Sequence, residues 1–133
     1  MQEARAALGS GELIDAAPLW QSVREHTHPF FATPDAALWR LSVPSITPPL
    51  DLGPTLIEWS GALRWVRSTL PATLLRERAA TAGGHATLFR GGERTSGSVF
   101  HPLDPVVSKV HHRLKTEFDP HGIFNPGRMY AGL

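Results

Sequence analysis

Arg40, in the stretch Ala37-Leu38-Trp39-Arg40-Leu41-Ser42-Val43, is a residue suited to holding an anion. A strand-borne guanidinium can grip a carboxylate through two parallel N–H bonds and stays charged at any physiological pH. A surface ion pair would use the same residue equally well. The second candidate is Asn125, near the C-terminus. Two X-Pro steps, Asp119-Pro120 and Asn125-Pro126, are each soon followed by a glycine, Gly122 and Gly127. Each proline fixes its own φ and pushes the preceding residue out of helical geometry. The glycines allow the sharp turns that follow. Between two forced turns, the Asn125 amide is placed to donate and accept outward, or else it closes an Asx turn. Residues 118–133 are thereby held in one shape, with something expected to press against them.

Other chemistry-bearing groups carry less. His26-Thr27-His28 has the look of a metal pair, but no carboxylate or third histidine stands at a helpful spacing. At a helix end before Pro29, a solvated cap that favours the helix dipole is the better reading. His111 and His112 are adjacent on a helix and diverge by about 100°, so one ion cannot easily take both. Gly83-Gly84-His85 and Gly91-Gly92 bracket a strand and form neither a dinucleotide fingerprint nor a P-loop. No nucleophile-elbow, zincin or deaminase signature is present, and no residue stands out as a proton-abstracting base. The formal net charge of +1 implies no strong nucleic-acid field, and the RNP1 pattern of an RNA-recognition sheet is missing. With no cysteine, disulfides, thiolate metal sites and a thiol nucleophile are excluded within this sequence. No apolar run reaches the roughly 18–20 residues of a membrane span.

The elements that must position these groups can be read from periodicity. Asp15 can cap a helix over about residues 16–26, with Leu19, Trp20 and Val23 on one stripe. Residues 37–43 alternate as a strand, placing Trp39, Leu41 and Val43 on one face and Leu38, Arg40 and Ser42 on the other. The four prolines of residues 44–54 make a rigid extended loop. Residues 55–68 form a hairpin. A three-residue loop, Ser60-Gly61-Ala62, would pair Ile57 with Trp65 and Glu58 with Arg64, and is favoured over a two-residue loop pairing Ile57 with Arg64 and Glu58 with Leu63. A helix begins at Pro71 and stops at Gly83-Gly84; a last strand covers 85–90; residues 93–100 form a polar loop. In the final helix Asp104 caps, Pro105 takes the first position, and Val107, Val110, Leu114 and Phe118 form the stripe. The expected fold is α+β: a four-stranded antiparallel sheet with helices on one face, ferredoxin-like, with Arg40 pointing from the uncovered face. Residues 1–14 read as a connector to an upstream domain and 15–133 as the folded unit.

The tail Phe118-Asp119-Pro120-His121-Gly122-Ile123-Phe124-Asn125-Pro126-Gly127-Arg128-Met129-Tyr130 resembles the C-terminus of FAD-linked oxidases of the vanillyl-alcohol oxidase type. Pro29-Phe30-Phe31-Ala32-Thr33, Ala37-Leu38-Trp39-Arg40-Leu41-Ser42, Gly83-Gly84-His85-Ala86-Thr87-Leu88-Phe89-Arg90-Gly91-Gly92 and Val99-Phe100-His101-Pro102-Leu103 narrow the likeness. Together they resemble the FAD-binding subunits of bacterial glycolate oxidase (glycolate dehydrogenase). The resemblance runs from about residue 16 to the end and implies a C-terminal, substrate-side cap domain. FAD would be held mainly by an upstream domain whose glycine-rich pyrophosphate loop this sequence does not supply. It implies that Asn125, Pro126 and Gly127 approach the flavin, that Arg40 anchors a 2-hydroxy-acid carboxylate, and that His85 and Arg90 belong to the same cavity. The reaction implied is oxidation of glycolate to glyoxylate, with electrons passed through FAD to an iron–sulfur subunit, and with a second flavoprotein subunit as partner. It further implies a cytoplasmic complex, peripheral at the inner membrane face through partner subunits, and a chain that is inactive and colourless alone. Related dehydrogenases carry a paired-histidine metal motif, and Gly84-His85-Ala86-Thr87-Leu88 lacks its second histidine. The alternative is a stand-alone ferredoxin-like module that binds a ligand or dimerises.

Overall fold

A computed structural model of the chain describes residues 9, 15–32, 35–92, 99–130 and 132–133. The expected connector 1–14 and the polar loop 93–100 lie largely outside the described residues. The chain divides into two compact units, Met1–Thr33 and Pro34–Leu133.

In the first unit, helix α1 (Ala17–Arg24) carries a proline in its first turn, and the Ala17 amide donates to the Asp15 carboxylate at 3.0 Å. A 3-10 turn, Pro29–Phe31, follows. His28 opens it by accepting the Phe30 amide on Nδ1 at 3.2 Å, while the His26 ring stacks on buried Phe31 at 4.3 Å. Both histidines therefore have structural partners, and no three metal-ligating side chains converge among the described residues.

The second unit is the α+β sandwich. Strands β1 (Ala37–Ser42), β2 (Thr55–Glu58), β3 (Leu63–Ser68) and β4 (His85–Arg90) form one sheet in the order β2-β3-β1-β4. All three pairings are antiparallel. This is the strand order of a ferredoxin-like fold, with helix α2 (Ala72–Thr81) crossing from β3 to β4. The first crossover has no helix: residues 43–54, rich in proline, make it instead. Alternation along the strands sorts the side chains as the sequence implies. Trp39, Leu41, Val66, Ala86 and Leu88 face α2 and pack with Leu75, Ala79 and Leu52 into the core. Burying a side chain such as Leu41 or Leu75, both 0% exposed, contributes roughly 2 kcal/mol each.

The hairpin register differs from expectation. Ile57 pairs with Arg64 and Glu58 with Leu63, and the turn is four residues long, Trp59 to Ala62. The favoured Glu58–Arg64 pairing loses because both side chains have better partners. Glu58 Oε2 accepts the Trp65 indole N–H at 2.6 Å. Arg64 turns to the α2 side of the sheet, where Nε donates to Gly61 O at 3.1 Å, Nη1 to Pro48 O at 2.8 Å, and Nη2 to Thr47 O. The turn also needs left-handed backbone at Trp59, Ser60 and Gly61, and a Cβ on Gly61 would sit 2.5 Å from Ser45 O.

Helix α3 (Pro105–Phe118) is capped as its sequence dictates, with the Val106 amide donating to the Asp104 carboxylate at 2.8 Å. Its apolar stripe, however, is not part of the core. Val107, Val110 and Leu114 are about half exposed and Phe118 is 79% exposed. The helix supplying the sheet's core is α2.

Candidate functional site

The face of the sheet turned away from α2 carries Leu56 and Glu58 from β2; Leu63, Trp65 and Arg67 from β3; Leu38, Arg40 and Ser42 from β1; and His85 and Thr87 from β4. Register fixes their neighbours. Arg40 lies between Trp65 and Thr87, Ser42 lies beside His85, and Leu38 lies between Arg67 and Arg90. Arg40, His85 and Arg90 therefore lie on neighbouring strands β1 and β4. The face is less open than the bare pattern implies. Leu38, Leu63 and Trp65 are buried, and Phe89, brought round by the irregularity opposite Leu38/Trp39, meets Trp65 edge-on at 4.9 Å. Arg40 is exposed above this apolar floor. Exposed Arg40 thus stands among apolar side chains that are closed to solvent.

The edge of β4 is closed by the segment that follows it. The Leu88 amide donates to Val99 O at 2.9 Å and the Ala86 amide to His101 Nδ1 at 3.4 Å. The His101 pKa is held below its ordinary value, first by burial and then by the positive charges of His85 and Arg76. That direction favours the neutral ring, whose Nδ1 is the acceptor that Ala86 uses. His85, 6.4 Å from His101 between ring centres, stands where this edge meets the arginine-bearing face.

A second region is formed by α3 and the tail. The organising group is Asp119, which is buried. Its Oδ1 accepts the Ile123 amide at 2.9 Å, and its Oδ2 accepts the Phe124 amide at 2.9 Å and the Lys115 ammonium at 2.5 Å. Lys115 also donates to Phe124 O at 2.5 Å. The Lys115 hydrogen bond, joined by those two amides, holds the Asp119 carboxyl below the usual carboxylate range. Gly122 and Gly127 take positive φ at the two turns, as the X-Pro pattern predicts, and Asn125 itself sits at φ 44°. Asn125 is exposed and closes the second turn through its backbone, its carbonyl accepting the Arg128 amide at 3.1 Å. The Tyr130 hydroxyl returns the tail to the sheet edge by donating to His101 O at 3.0 Å. A cavity of about 600 Å³ opens between helix and tail, lined by Phe100, Leu114, Phe124 and Met129 with His111, Lys115, Asn125 and Arg128. Of the three tail residues singled out, Asn125 lines it; Pro126 and Gly127 build the turn beside it.

Sequence reasoning missed Arg64, Arg67 and Asp119. A usable signal existed for Arg67: it shares parity with Leu63 and Trp65, so it had to lie on the same face as two large apolar side chains. Asp119 was visible only as the residue before Pro120. Its side chain caps the two amides that the following turn leaves without helical partners.

No family model and no solved structure matches the chain. Among curated proteins, glycolate oxidase subunit GlcE of Escherichia coli (strain K12) is 46% identical over 134 residues. That alignment takes in 100% of this chain and 36% of GlcE, so the chain spans about a third of the length of the relative it matches. The likeness first carried by the tail motif and the strand stretches thus extends over every element described above: the chain is similar along its whole length to the C-terminal part of a glycolate oxidase subunit.

Proposed function

We propose that this chain acts as the substrate-side domain of a flavin-dependent 2-hydroxy-acid oxidoreductase, within a multi-subunit glycolate oxidase. The observation that carries this reading is the 46% identity to a glycolate oxidase subunit along the full chain. The two surfaces support it. The arginine-bearing sheet face has the chemistry to hold a glycolate carboxylate, with Arg40 as its anchor and His85 and Arg90 beside it. The α3 and tail surface has the chemistry to meet a flavin domain: apolar walls for a ring system, the outward Asn125 amide for hydrogen bonding, and Lys115 and Arg128 for negative charge. FAD, held mainly by a preceding domain, would supply the two-electron acceptor for oxidation to glyoxylate. The chain's own residues bind, orient and exclude water. Arg40 fixes the carboxylate end of the acid, the Leu38–Trp65 floor keeps the bound face dry, and the turn at Asn125-Pro126-Gly127 presents the amide at a fixed angle. An iron–sulfur subunit would take the electrons onward, and a second flavoprotein subunit would complete the assembly. No helix among the described residues is long and apolar enough to cross a membrane.

The test is reconstitution. The chain is joined to a preceding flavin domain, or co-expressed with one, together with the partner subunits. Glycolate-dependent dye reduction and flavin absorbance are then followed. Arg40→Met is expected to raise KM for glycolate by about tenfold or more, the loss of one charge-assisted pair. Leu114→Ser with Phe118→Ser is expected to abolish association while leaving the circular dichroism of the chain unchanged, since both side chains are at least half exposed. A correctly assembled complex that carries flavin yet ignores glycolate and related 2-hydroxy acids would overturn the proposal.

A further inference from the structure

Helix α3 buries none of its residues, so the segments at its two ends carry its tie to the sheet. Residues 99–103 lie along the outer edge of β4 as a strap. Two edge amides hold it: that of Leu88 donates to Val99 O at 2.9 Å, and that of Ala86 donates to His101 Nδ1 at 3.4 Å. The strap in turn holds the tail. The His101 carbonyl accepts the Tyr130 hydroxyl at 3.0 Å, and between ring centres Tyr130 lies 5.9 Å from Phe100 of the strap and 6.3 Å from His111 of α3. His101 is therefore the joint where sheet edge, strap and tail meet, with its ring serving the sheet and its carbonyl serving the tail. The ring half of that joint can titrate. Ala86 is 0% exposed, and Nδ1 can serve its amide only while that nitrogen carries no proton. Protonation turns the acceptor into a second donor aimed at the first, and a buried amide without an acceptor is costly.

We infer that His101 is a proton-operated latch: with Nδ1 bare it pins the strap to β4, and with Nδ1 protonated the strap lifts and frees Tyr130, α3 and the tail from the sheet edge. The groups around the ring set where it switches. His85 of β4 stands 6.4 Å away between ring centres, and Arg76 acts on it from α2. Burial first, and then the positive charge of these two side chains, holds the His101 pKa below its ordinary value of 6.5. From the tail and α3, Tyr130 and His111 complete the surroundings. Burial holds the Tyr130 pKa above its ordinary value, so its hydroxyl stays a donor while His101 titrates. A base whose pKa is depressed when the latch is closed takes its proton more readily in the open form. The latch is therefore closed at neutral pH and opens on acidification. What it governs is how firmly the surface carried by α3 and the tail is presented. It stands on the fold alone and does not depend on which partner that surface meets.

Amide hydrogen exchange of the 133-residue chain between about pH 7.5 and about pH 5 tests this, read as protection factors so that the pH dependence of exchange itself is removed. Protection at Ala86 should fall about tenfold or more on acidification, the loss of a buried amide's acceptor. Leu88 should fall with it as the strap leaves, while amides shared by β1 and β3 keep theirs. The midpoint should coincide with the titration of the His101 ring, followed through its own Cε1–H resonance. His85→Gln removes one positive neighbour and should move that midpoint to higher pH. His101→Asn puts Oδ1 where Nδ1 stood, an acceptor at any pH, and should keep Ala86 protected in acid. If His101→Asn fails to fold, the wild-type titration decides alone. Protection at Ala86 that survives protonation of His101, an Asn variant that loses protection at the wild-type midpoint, or an equal loss across β1 and β3 would each overturn the inference. A chain that shows the latch yet never assembles with a flavin domain would leave the inference standing and sink the proposed function instead.

Discussion

Replacing Arg64 tests how much a buried charge contributes to building this fold. Its guanidinium ties the prolyl crossover to the hairpin by bonding the carbonyls of Thr47, Pro48 and Gly61 from a site 5% exposed. Hydrogen bonds to a charged donor contribute about 1.5–3 kcal/mol each. Thr47 and Pro48 are at least partly exposed, so water can recover part of what their carbonyls lose. Arg64→Met should therefore cost about 3–5 kcal/mol, the range for breaking a buried charged group's contacts. That is a large fraction of the roughly 5–15 kcal/mol a domain of this kind possesses. Arg64→Lys keeps the charge but cannot reach three diverging carbonyls with one compact ammonium, and should recover no more than about half. Urea unfolding followed by tryptophan fluorescence measures both, since Trp65 is the next residue on the strand. An Arg64→Met protein within about 0.5 kcal/mol of wild type, the range of ordinary surface substitutions, would refute this account. So would full rescue by lysine.

Three further outcomes follow from the edge and the tail. Asp119→Asn keeps the shape but removes the charge that Lys115 pairs with and one acceptor site; amide exchange at Ile123 and Phe124 should accelerate while exchange in β1 and β3 is unchanged, and equal protection of all four would contradict the tail geometry. Wild-type stability should fall as pH drops from about 7.5 toward 5.5, because the pKa of His101 is lower folded than its ordinary value of about 6.5. The unfolded chain takes the proton first, so stability is full above the unfolded pKa and is lost as pH falls through the folded one. His101→Asn should flatten that part of the profile, and an unchanged slope would assign it elsewhere. Asn125→Gly should leave the melting temperature unchanged or slightly raised, because glycine adopts φ 44° more readily, while weakening flavin retention in the assembled complex; unchanged retention would remove Asn125 from the flavin contact.

The elements that sequence rules recovered well are those fixed by local chemistry. Strand β4 begins and ends where Gly83-Gly84 and Gly91-Gly92 require, and α3 begins at the Asp104-Pro105 pair. The alternation in β1 correctly divided Trp39 and Leu41 from Leu38 and Arg40. The hairpin register was not legible, because it depends on partners far along the chain. Arg64 reaches back to Thr47 and Pro48, and no local pairing preference between Glu58 and Arg64 anticipates that. The candidate site was partly legible. Arg40 stands out as a candidate because a lone charge interrupts an apolar strand. Arg67 was missed although its parity with Leu63 and Trp65 placed it on a face with two large apolar side chains.

The stripe of α3 shows the deepest reason for the remaining mismatch. An apolar face at helical spacing reads the same whether its cover comes from its own sheet or from another domain. A 14-residue helix is marginal by itself in water, and this one buries none of its residues. Its order comes instead from its two ends: Asp104 holds the first turn, while Asp119 and Lys115 lock the exit and the tail beyond it. Side-chain bonds at the ends thus do what packing does elsewhere, and they leave Val107, Val110, Leu114 and Phe118 displayed on a fixed frame with Phe124 and Met129 alongside. Docking onto a frame already ordered avoids the entropy of ordering it at the moment of contact. Such a face, built at the expense of burial within its own domain, makes physical sense where a partner covers it. Among the described residues, nothing else accounts for an apolar stripe held in order yet left half exposed.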